Sequence, residues 1–226
     1  WDKAAGTDAV IHLAGEPLGG RWTQAKRDRV WISRVHATHY LAHALARLRP
    51  APRVFVTASA IGFYGDRGDE ALTETSAGGS GFLADLTREC ENAASAALAS
   101  TGTRVVPLRL GLVLSKEGGL LTRLLPLFRL GLGGRLGNGR QYMSWISLTD
   151  LRAVVSYVLY DDQVRSPVNA VAPEPVTNQD FTKQLARQLH RPAFLPVPRR
   201  LLWLRYGALA DEMLLSSARV LPERLS

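Results

Sequence analysis

The sequence has a single cysteine and no long hydrophobic run. The first feature excludes an internal disulfide, and the second excludes a membrane-spanning helix in this chain. With Cys90 alone, the chain of 226 residues cannot form an internal disulfide, which fits a cytosolic or similarly reducing compartment. No apolar run reaches the roughly 18 residues that a membrane-spanning helix needs. No charged and apolar leader follows Trp1. We therefore expect a cytoplasmic protein with no membrane partner. Cys90 lies inside a helical pattern, which predicts a buried structural thiol.

Negative charge is scarce relative to positive charge, and the formal net charge is +8. Such a balance is typical either of nucleic-acid binding or of a site for an anionic ligand. The basic residues are scattered over 21–34, 47–53, 123–140 and 187–205, without an aromatic-interleaved stripe or a zinc-ligand spacing. We therefore expect a small-molecule partner and no nucleic acid. His39 and His43 share one helix face, but no third ligand accompanies them, so no metal site is expected.

Apolar strands and amphipathic helices alternate along the chain, which predicts an α/β fold. Strand, helix and strand in succession require crossover connections and hence a parallel sheet. We expect a Rossmann-like dinucleotide-binding domain over residues 1–172, with 112–150 contributing to the substrate pocket, and a small helical C-terminal domain over 173–226. The predicted strands are 8–15, 53–59, 103–114, 141–147 and 166–173; the predicted helices are 23–48, 82–99, 120–130, 148–160 and 177–189.

Parallel sheets bind ligands beyond the carboxyl ends of their strands, so the candidate site residues are those that end each strand. Ala14 and Gly15 end the first strand. Their backbone can carry a ligand ring without an intervening side chain, or it can simply form a tight turn. Arg34, on the following helix, could point outward to solvent or bind a phosphate. The segments at the strand ends are Leu13–Glu16, Ser59–Tyr64, Arg109–Val113 and Ala172–Pro175.

Two hydroxyl groups follow the second strand and are candidates for proton chemistry. Ser59 could donate a hydrogen bond to a substrate oxygen, and Tyr64 could transfer a proton if a cation lowered its pKa. The alternative is a capping serine and a packed aromatic ring. The residues themselves leave both readings open.

Several of these motifs together resemble one family. The chain resembles the epimerase subgroup of extended short-chain dehydrogenases, described as NAD-dependent epimerase/dehydratase relatives with a C-terminal domain of unknown function. The resemblance covers essentially the whole chain. Its most specific part is the glycine-rich block FRLGLGGRLGNGRQ at 128–141, together with the WI that follows at 145–146. The segments that carry it are HLAGEPLGGRW, ISR at 32–34, TASAIGFYGDRGD, RLGLVLSKEGG, LLPLFRLGLGGRLGNGRQYMSWISLTDL and NAVAPEPVTNQDF.

This resemblance implies a cofactor and a set of contacts. The cofactor would be NADP, with Leu13 and Ala14 beneath it and Arg34 near its phosphates. The backbone of Val113 would lie near the nicotinamide end. Ser59 would take the place of the sheet-edge hydroxyl.

Two departures from the family pattern affect function. The strand, glycine-rich loop and helix that open such proteins do not occur in this sequence, so we expect the first βαβ unit to be missing. The family's YxxxK pair should open the helix after the polar loop, yet that region reads GGSGFLADLTREC. Asp85 stands about where the lysine is expected, and a carboxylate raises rather than lowers the pKa of a tyrosine. Tyr64 or Asp85 would then act instead.

We therefore expect an NADP-dependent oxidoreductase or epimerase acting on a small polar substrate, with Ser59, Tyr64 and Asp85 as candidate catalytic residues. The alternative is a non-catalytic cofactor-binding or regulatory protein on the same fold. The chain could form a homodimer.

Overall fold

The structure, a computed structural model, describes residues 6–225 and centres on a four-stranded parallel sheet. The strand order is β1-β2-β4-β8, and every neighbouring pair is parallel. The carboxyl ends of all four strands therefore meet at one edge. The strands are β1 (Ala9–His12), β2 (Val54–Ala60), β3 (Ala71–Leu72), β4 (Arg104–Leu110), β5 (Leu112–Leu114), β6 (Tyr142–Met143), β7 (Trp145–Ser147), β8 (Val168–Ala170), β9 (Val176–Thr177) and β10 (Arg219–Val220).

Helices cover both faces of this sheet, as a parallel sheet requires. One layer packs Ala42, Leu45 and Ala94 against Phe55, and the opposite layer packs Val158 against Val56. The α/β fold and its Rossmann-like parallel sheet, predicted from the sequence, are confirmed. The helices are α1 (Gln24–Trp31), α2 (Ala37–Ala46), α3 (Phe82–Leu98), α4 (Leu120–Arg129), α5 (Leu148–Tyr160), α6 (Asn178–Gln188) and α7 (Arg199–Tyr206).

The single strand predicted over 103–114 is wrong, because the chain divides into β4 and β5 at Gly111. The backbone of Gly111 passes so close to its neighbours that a Cβ there would lie 2.7 Å from the carbonyl oxygen of Ser144. This approach turns the chain out of the main sheet, and β5 pairs with β7 in a separate two-stranded sheet. The predicted strand 141–147 likewise divides into β6 and β7.

The long helix predicted over 23–48 is present as α1 and α2 joined by a π-helical segment, Ile32–His36. Thr23 caps its start, and its hydroxyl accepts a hydrogen bond from the backbone N–H of Lys26. Single π-helical turns are frequent at functional sites, because they redirect side chains from the regular helical face. Here the segment contains Arg34.

The C-terminal residues are helical only in part and are tied to the rest of the chain. Strand β10 pairs with β3, inside the predicted polar loop, and β9 pairs with β6. Thr177 caps α6 through a hydrogen bond from the N–H of Asp180. The domain boundary at 172 stays a prediction, and residues 1–5 and 226 of the two predicted domains lie outside the described residues. Within residues 6–225, no helix is long and apolar enough to cross a bilayer.

Candidate cofactor and substrate site

The loop after β1 is open to solvent at the carboxyl edge of the sheet. Leu13 is 63% exposed, and Ala14 and Gly15 are exposed beside it. These are the residues from which the sequence predicted a cofactor contact. An exposed leucine followed by two small residues gives a flat apolar strip with accessible backbone, which suits a planar ligand ring.

Three side chains from the helical segment at 24–46 hold this loop in place. Arg34 Nη1 donates to the carbonyl oxygen of Glu16 at 2.6 Å, and the N–H of Glu16 donates to Ser33 Oγ at 2.9 Å. Lys26 Nζ lies 2.7 Å from Glu16 Oε1, and this hydrogen bond lowers the pKa of the Glu16 carboxyl. The loop is therefore fixed by a group of cations rather than left free.

Gly15 lets the Arg34 guanidinium lie directly against the backbone of the loop. A Cβ at position 15 would lie 2.9 Å from Arg34 Cζ, closer than real Cβ contacts allow. Arg34 is half-buried, and desolvation lowers the pKa of its guanidinium. The structure thus brings Arg34 together with Leu13, Ala14 and Gly15, four of the five predicted cofactor contacts.

Val113, the fifth predicted contact, lies on β5, beyond the end of β4. Its strand pairs with β7, opposite Ile146, and the side chain is half-buried. The break at Gly111 carries this backbone past the carboxyl end of β4.

Ser59 and Tyr64, by contrast, belong to one buried network. Ser59 Oγ donates to Glu91 Oε1 at 2.6 Å, and Arg109 donates to both Glu91 oxygens at 2.9 Å. Arg109 Nη1 also donates to the hydroxyl of Tyr64 at 3.0 Å, and that hydroxyl donates to Asn169 Oδ1 at 2.7 Å. The sequence predicted that the two hydroxyls lie near one edge, and the structure joins them through Glu91 and Arg109.

Burial limits what these hydroxyls can contact. Ser59 is 7% exposed and Tyr64 is fully buried, and desolvation raises the pKa of the Tyr64 phenol. The Arg109 guanidinium lies 3.5 Å from the centre of the Phe63 ring and covers the network from that side. This geometry favours the reading of a packed aromatic ring for Tyr64, whereas Ser59 lies within β2 and bonds to Glu91 instead of capping a helix.

Asp85, the third candidate for catalysis, lies apart from this network. Its carboxylate is exposed on the first turn of α3 and pairs with Arg88 at 2.9 Å. Helix α3 contains neither tyrosine nor lysine. Cys90 and Glu91 lie further along α3. Burial raises the pKa of the Cys90 thiol to about 12. The predicted buried thiol is confirmed.

Sequence reasoning missed Glu91, Arg109 and Asn169 as partners. A signal was present, since Arg109 stands between two leucines in the strand RVVPLRL, where a buried guanidinium needs polar partners. Which acidic residue supplies that charge is decided by how α3 packs on β4, and the two residues are 18 positions apart.

Comparison with known proteins decides the family. The model for the NAD dependent epimerase/dehydratase family matches residues 2–170. The chain belongs to this family. Among family members, an epimerase family protein of Mycobacterium leprae is 39% identical over 225 residues, which cover 99% of this chain and 72% of that protein. Human epimerase family protein SDR39U1 is 34% identical over 234 residues, with 99% and 79% coverage.

Solved structures of family members agree with the fold. Human SDR39U1 (isoform 2), crystallised with NADPH, superposes with a TM-score of 0.92 at 33% identity and covers 99% of this chain and 78% of its own. A nucleoside-diphosphate sugar epimerase of Corynebacterium glutamicum gives a TM-score of 0.73 at 38% identity, with 96% and 48% coverage. The family resemblance inferred from the sequence is therefore confirmed.

Proposed function

We propose that this protein binds NADP(H) along the carboxyl ends of β1, β2 and β4, and acts as an oxidoreductase or epimerase on a small polar substrate. The observation that carries the proposal is the Arg34 guanidinium, held 2.6 Å from the Glu16 carbonyl beside the exposed loop of Leu13, Ala14 and Gly15. This arrangement suits a dinucleotide, because its phosphates would pair with the Arg34 guanidinium and its rings would lie on the accessible backbone of Ala14 and Gly15.

The residues present fit this cofactor. Gly15 leaves room only for the Arg34 guanidinium, so the cation is positioned before any ligand arrives. Lys26 and Arg29 lie 2.7 and 3.6 Å from the Glu16 carboxylate and add positive charge beside the loop. The NADPH in the crystal structure of the human relative supports the choice of cofactor.

Bound nicotinamide would supply hydride transfer, and the chain would position it. We assign the β1 loop to the cofactor face, Arg34 to the phosphates and the Val113 backbone to the nicotinamide end. The substrate would lie against 112–150. The nucleoside-diphosphate sugar epimerase among the structural relatives supports a sugar-like substrate.

Cofactor binding is tested by titrating the full-length protein with NADPH and NADH and following nicotinamide fluorescence. We expect saturable binding, and Arg34→Ala should weaken it about tenfold or more through the lost charge-assisted contact. Arg47→Ala, an exposed arginine at the end of α2, is the matched control and should leave the affinity unchanged. If neither dinucleotide binds at millimolar concentration, the proposed function is wrong.

A second candidate is a cofactor-binding protein without turnover. The observation that favours it is the enclosure of Ser59 and Tyr64 within the Glu91–Arg109 network, together with the lack of a tyrosine–lysine pair on α3. For this candidate, the exposed Asp85 has no catalytic role, and the protein would regulate a partner according to whether the cofactor is bound.

Turnover separates the two candidates. If the protein is an enzyme, it should catalyse NADPH-linked reduction of carbonyl or sugar-nucleotide substrates. Loss of that turnover in Ser59→Ala, with unchanged NADPH affinity and thermal unfolding, would assign Ser59 a catalytic role. Tight NADPH binding with no turnover across the same substrates would favour the second candidate. The predicted homodimer and cytoplasmic location stay predictions.

A further inference from the structure

Two segments of the chain carry positive charge without any negative charge. Residues 118–149 and 181–210 contain ten of the 28 lysines and arginines and none of the 20 acidic residues. All ten basic side chains are exposed. Since the whole chain has a net charge of +8, the excess positive charge lies entirely within these two segments.

The fold brings parts of the two segments together, residues 131–137 of the first and 192–197 of the second. The N–H of Val197 donates to the carbonyl oxygen of Arg135 at 2.8 Å, and the N–H of Gly137 donates back to Val197 at 2.9 Å. Gly134 has no side chain to separate it from the carbonyl of Leu195, and its backbone lies directly against that group. We name the exposed side chains of residues 118–149 and 181–210 the basic apolar surface.

Large apolar side chains are exposed among these arginines. Ten such side chains in the described residues are more than half exposed, and six of them belong to the basic apolar surface. They are Leu130, Leu132, Phe194, Leu201, Trp203 and Leu204. A soluble protein rarely leaves so many large apolar groups together without a partner.

Helix α7 shows this pattern most clearly. Its sequence is RRLLWLRY, and Leu202 is its single buried residue. Leu201 and Leu204 are three residues apart and share one side of the helix, while Arg200 and Arg205 bring charge beside them. The exposed leucine and tryptophan side chains of α7 could enter a headgroup layer, while its arginines could meet lipid phosphates.

We propose that the basic apolar surface docks this protein peripherally on a membrane that contains anionic lipids. Lipid phosphates would pair with the arginines, and the exposed leucine, phenylalanine and tryptophan side chains would enter the headgroup layer. A second copy of the chain fits poorly, because a symmetric contact would bring like charges together. Nucleic acid would satisfy the charge but leave the leucines unpartnered. Peripheral docking departs from the expectation of no membrane partner, but it needs no spanning helix, and residues 6–225 contain none.

The test is co-flotation of the full-length protein with lipid vesicles. Vesicles of phosphatidylcholine mixed with phosphatidylglycerol should carry about tenfold more protein than vesicles of phosphatidylcholine alone. Salt should reduce this binding, because it screens the arginines. Equal binding to both vesicles, or binding to neither, would overturn the proposal.

Two pairs of variants separate charge from apolar contact. Arg191→Glu with Arg200→Glu changes two exposed arginines, and Trp203→Ser with Leu204→Ser removes two exposed apolar groups. Each pair should reduce vesicle binding several-fold while thermal unfolding stays unchanged. The matched controls are Arg47→Glu with Arg53→Glu, and Tyr160→Ser, which lie elsewhere on the surface.

Two results would contradict this surface as the membrane contact. One is an equal loss of binding in the control variants. The other is retention of a duplex DNA fragment by the wild-type protein with no vesicle binding, which would assign the surface to nucleic acid.

Discussion

The carboxyl ends of β1 and β2 lie at the same edge of one sheet, yet they differ in access to solvent. After β1, the loop of Leu13, Ala14 and Gly15 is exposed and bordered by cations. After β2, Ser59 and Tyr64 are enclosed with Glu91 and Arg109. We propose that the open region binds the cofactor, and the closed region joins the sheet to α3 through the Glu91–Arg109 pair. The four predictions below test that division.

Glu91→Ala should give the largest loss of stability. The Glu91 and Arg109 side chains are 10% and 5% exposed, so the substitution leaves a buried guanidinium without its counterion. We expect a loss of about 3–5 kcal/mol in the free energy of unfolding, measured by urea denaturation. Glu91→Gln retains hydrogen bonding and should lose less. A loss below about 1 kcal/mol would show that the network is dispensable.

Tyr64→Phe should lower stability less than Glu91→Ala and leave cofactor binding unchanged. The change removes a hydroxyl that bonds to Arg109 and Asn169, and unsatisfied buried partners cost about 1–3 kcal/mol. Denaturation and NADPH titration measure the two effects. If Tyr64→Phe abolished turnover with no loss of stability, the hydroxyl would be catalytic, and the closed region would belong to the active site.

Cys90 links the two regions, since its thiol is influenced by the charges of both Arg34 and Glu91. Burial raises its pKa from an ordinary value of 9.0 to about 12 in the folded protein. Between these values, the unfolded chain has lost the thiol proton and the folded chain has kept it. Stability should therefore fall as pH rises through this window, by about 1.4 kcal/mol per pH unit.

Urea denaturation of the wild type and of Cys90→Ala over that pH range isolates the contribution of the thiol. The wild type should show the steeper slope, because the Tyr64 phenol, whose pKa is also raised by burial, titrates in both proteins. An identical slope in both proteins would assign it to other groups. A thiol reagent at neutral pH should react slowly with the folded protein and rapidly in urea.

Gly15→Ala should give the smallest effect on stability while weakening cofactor binding, a result that rests on the proposed function. The new Cβ would lie 2.9 Å from Arg34 Cζ, and the flexible side chain can move away at little cost. We expect NADPH affinity to fall about tenfold, equivalent to about 1.4 kcal/mol, with a smaller change in stability. Gly118→Ala, where a Cβ meets nothing within 4 Å, is the control. Unchanged affinity would remove Arg34 from the cofactor site.

Most of the parallel sheet and its helices could be predicted from local patterns. The run VFVTASA, the caps Thr23 and Thr177 and the exposed strand end at Leu13 are each encoded within a few residues. The division at Gly111 could not be predicted, because the contact that causes it comes from Ser144, more than thirty residues later. The pairing of β3 with β10 was missed for the same reason.

The sequence by itself determined the α/β class, the family, the strand ends and the buried thiol at Cys90. The signals for these features are the spacing of apolar residues, the turn residues and the motifs, and each depends only on residues close together in the chain. Tertiary structure alone decided which strand end is open and which is closed. The sequence makes Ser59 and Tyr64 candidates for proton chemistry at the sheet edge. In the structure, Glu91 on α3 and Arg109 on β4 enclose both hydroxyls. The two acid-free segments become one surface only when Val197 pairs with Arg135. Both outcomes depend on contacts between residues far apart in the chain, which local patterns do not specify.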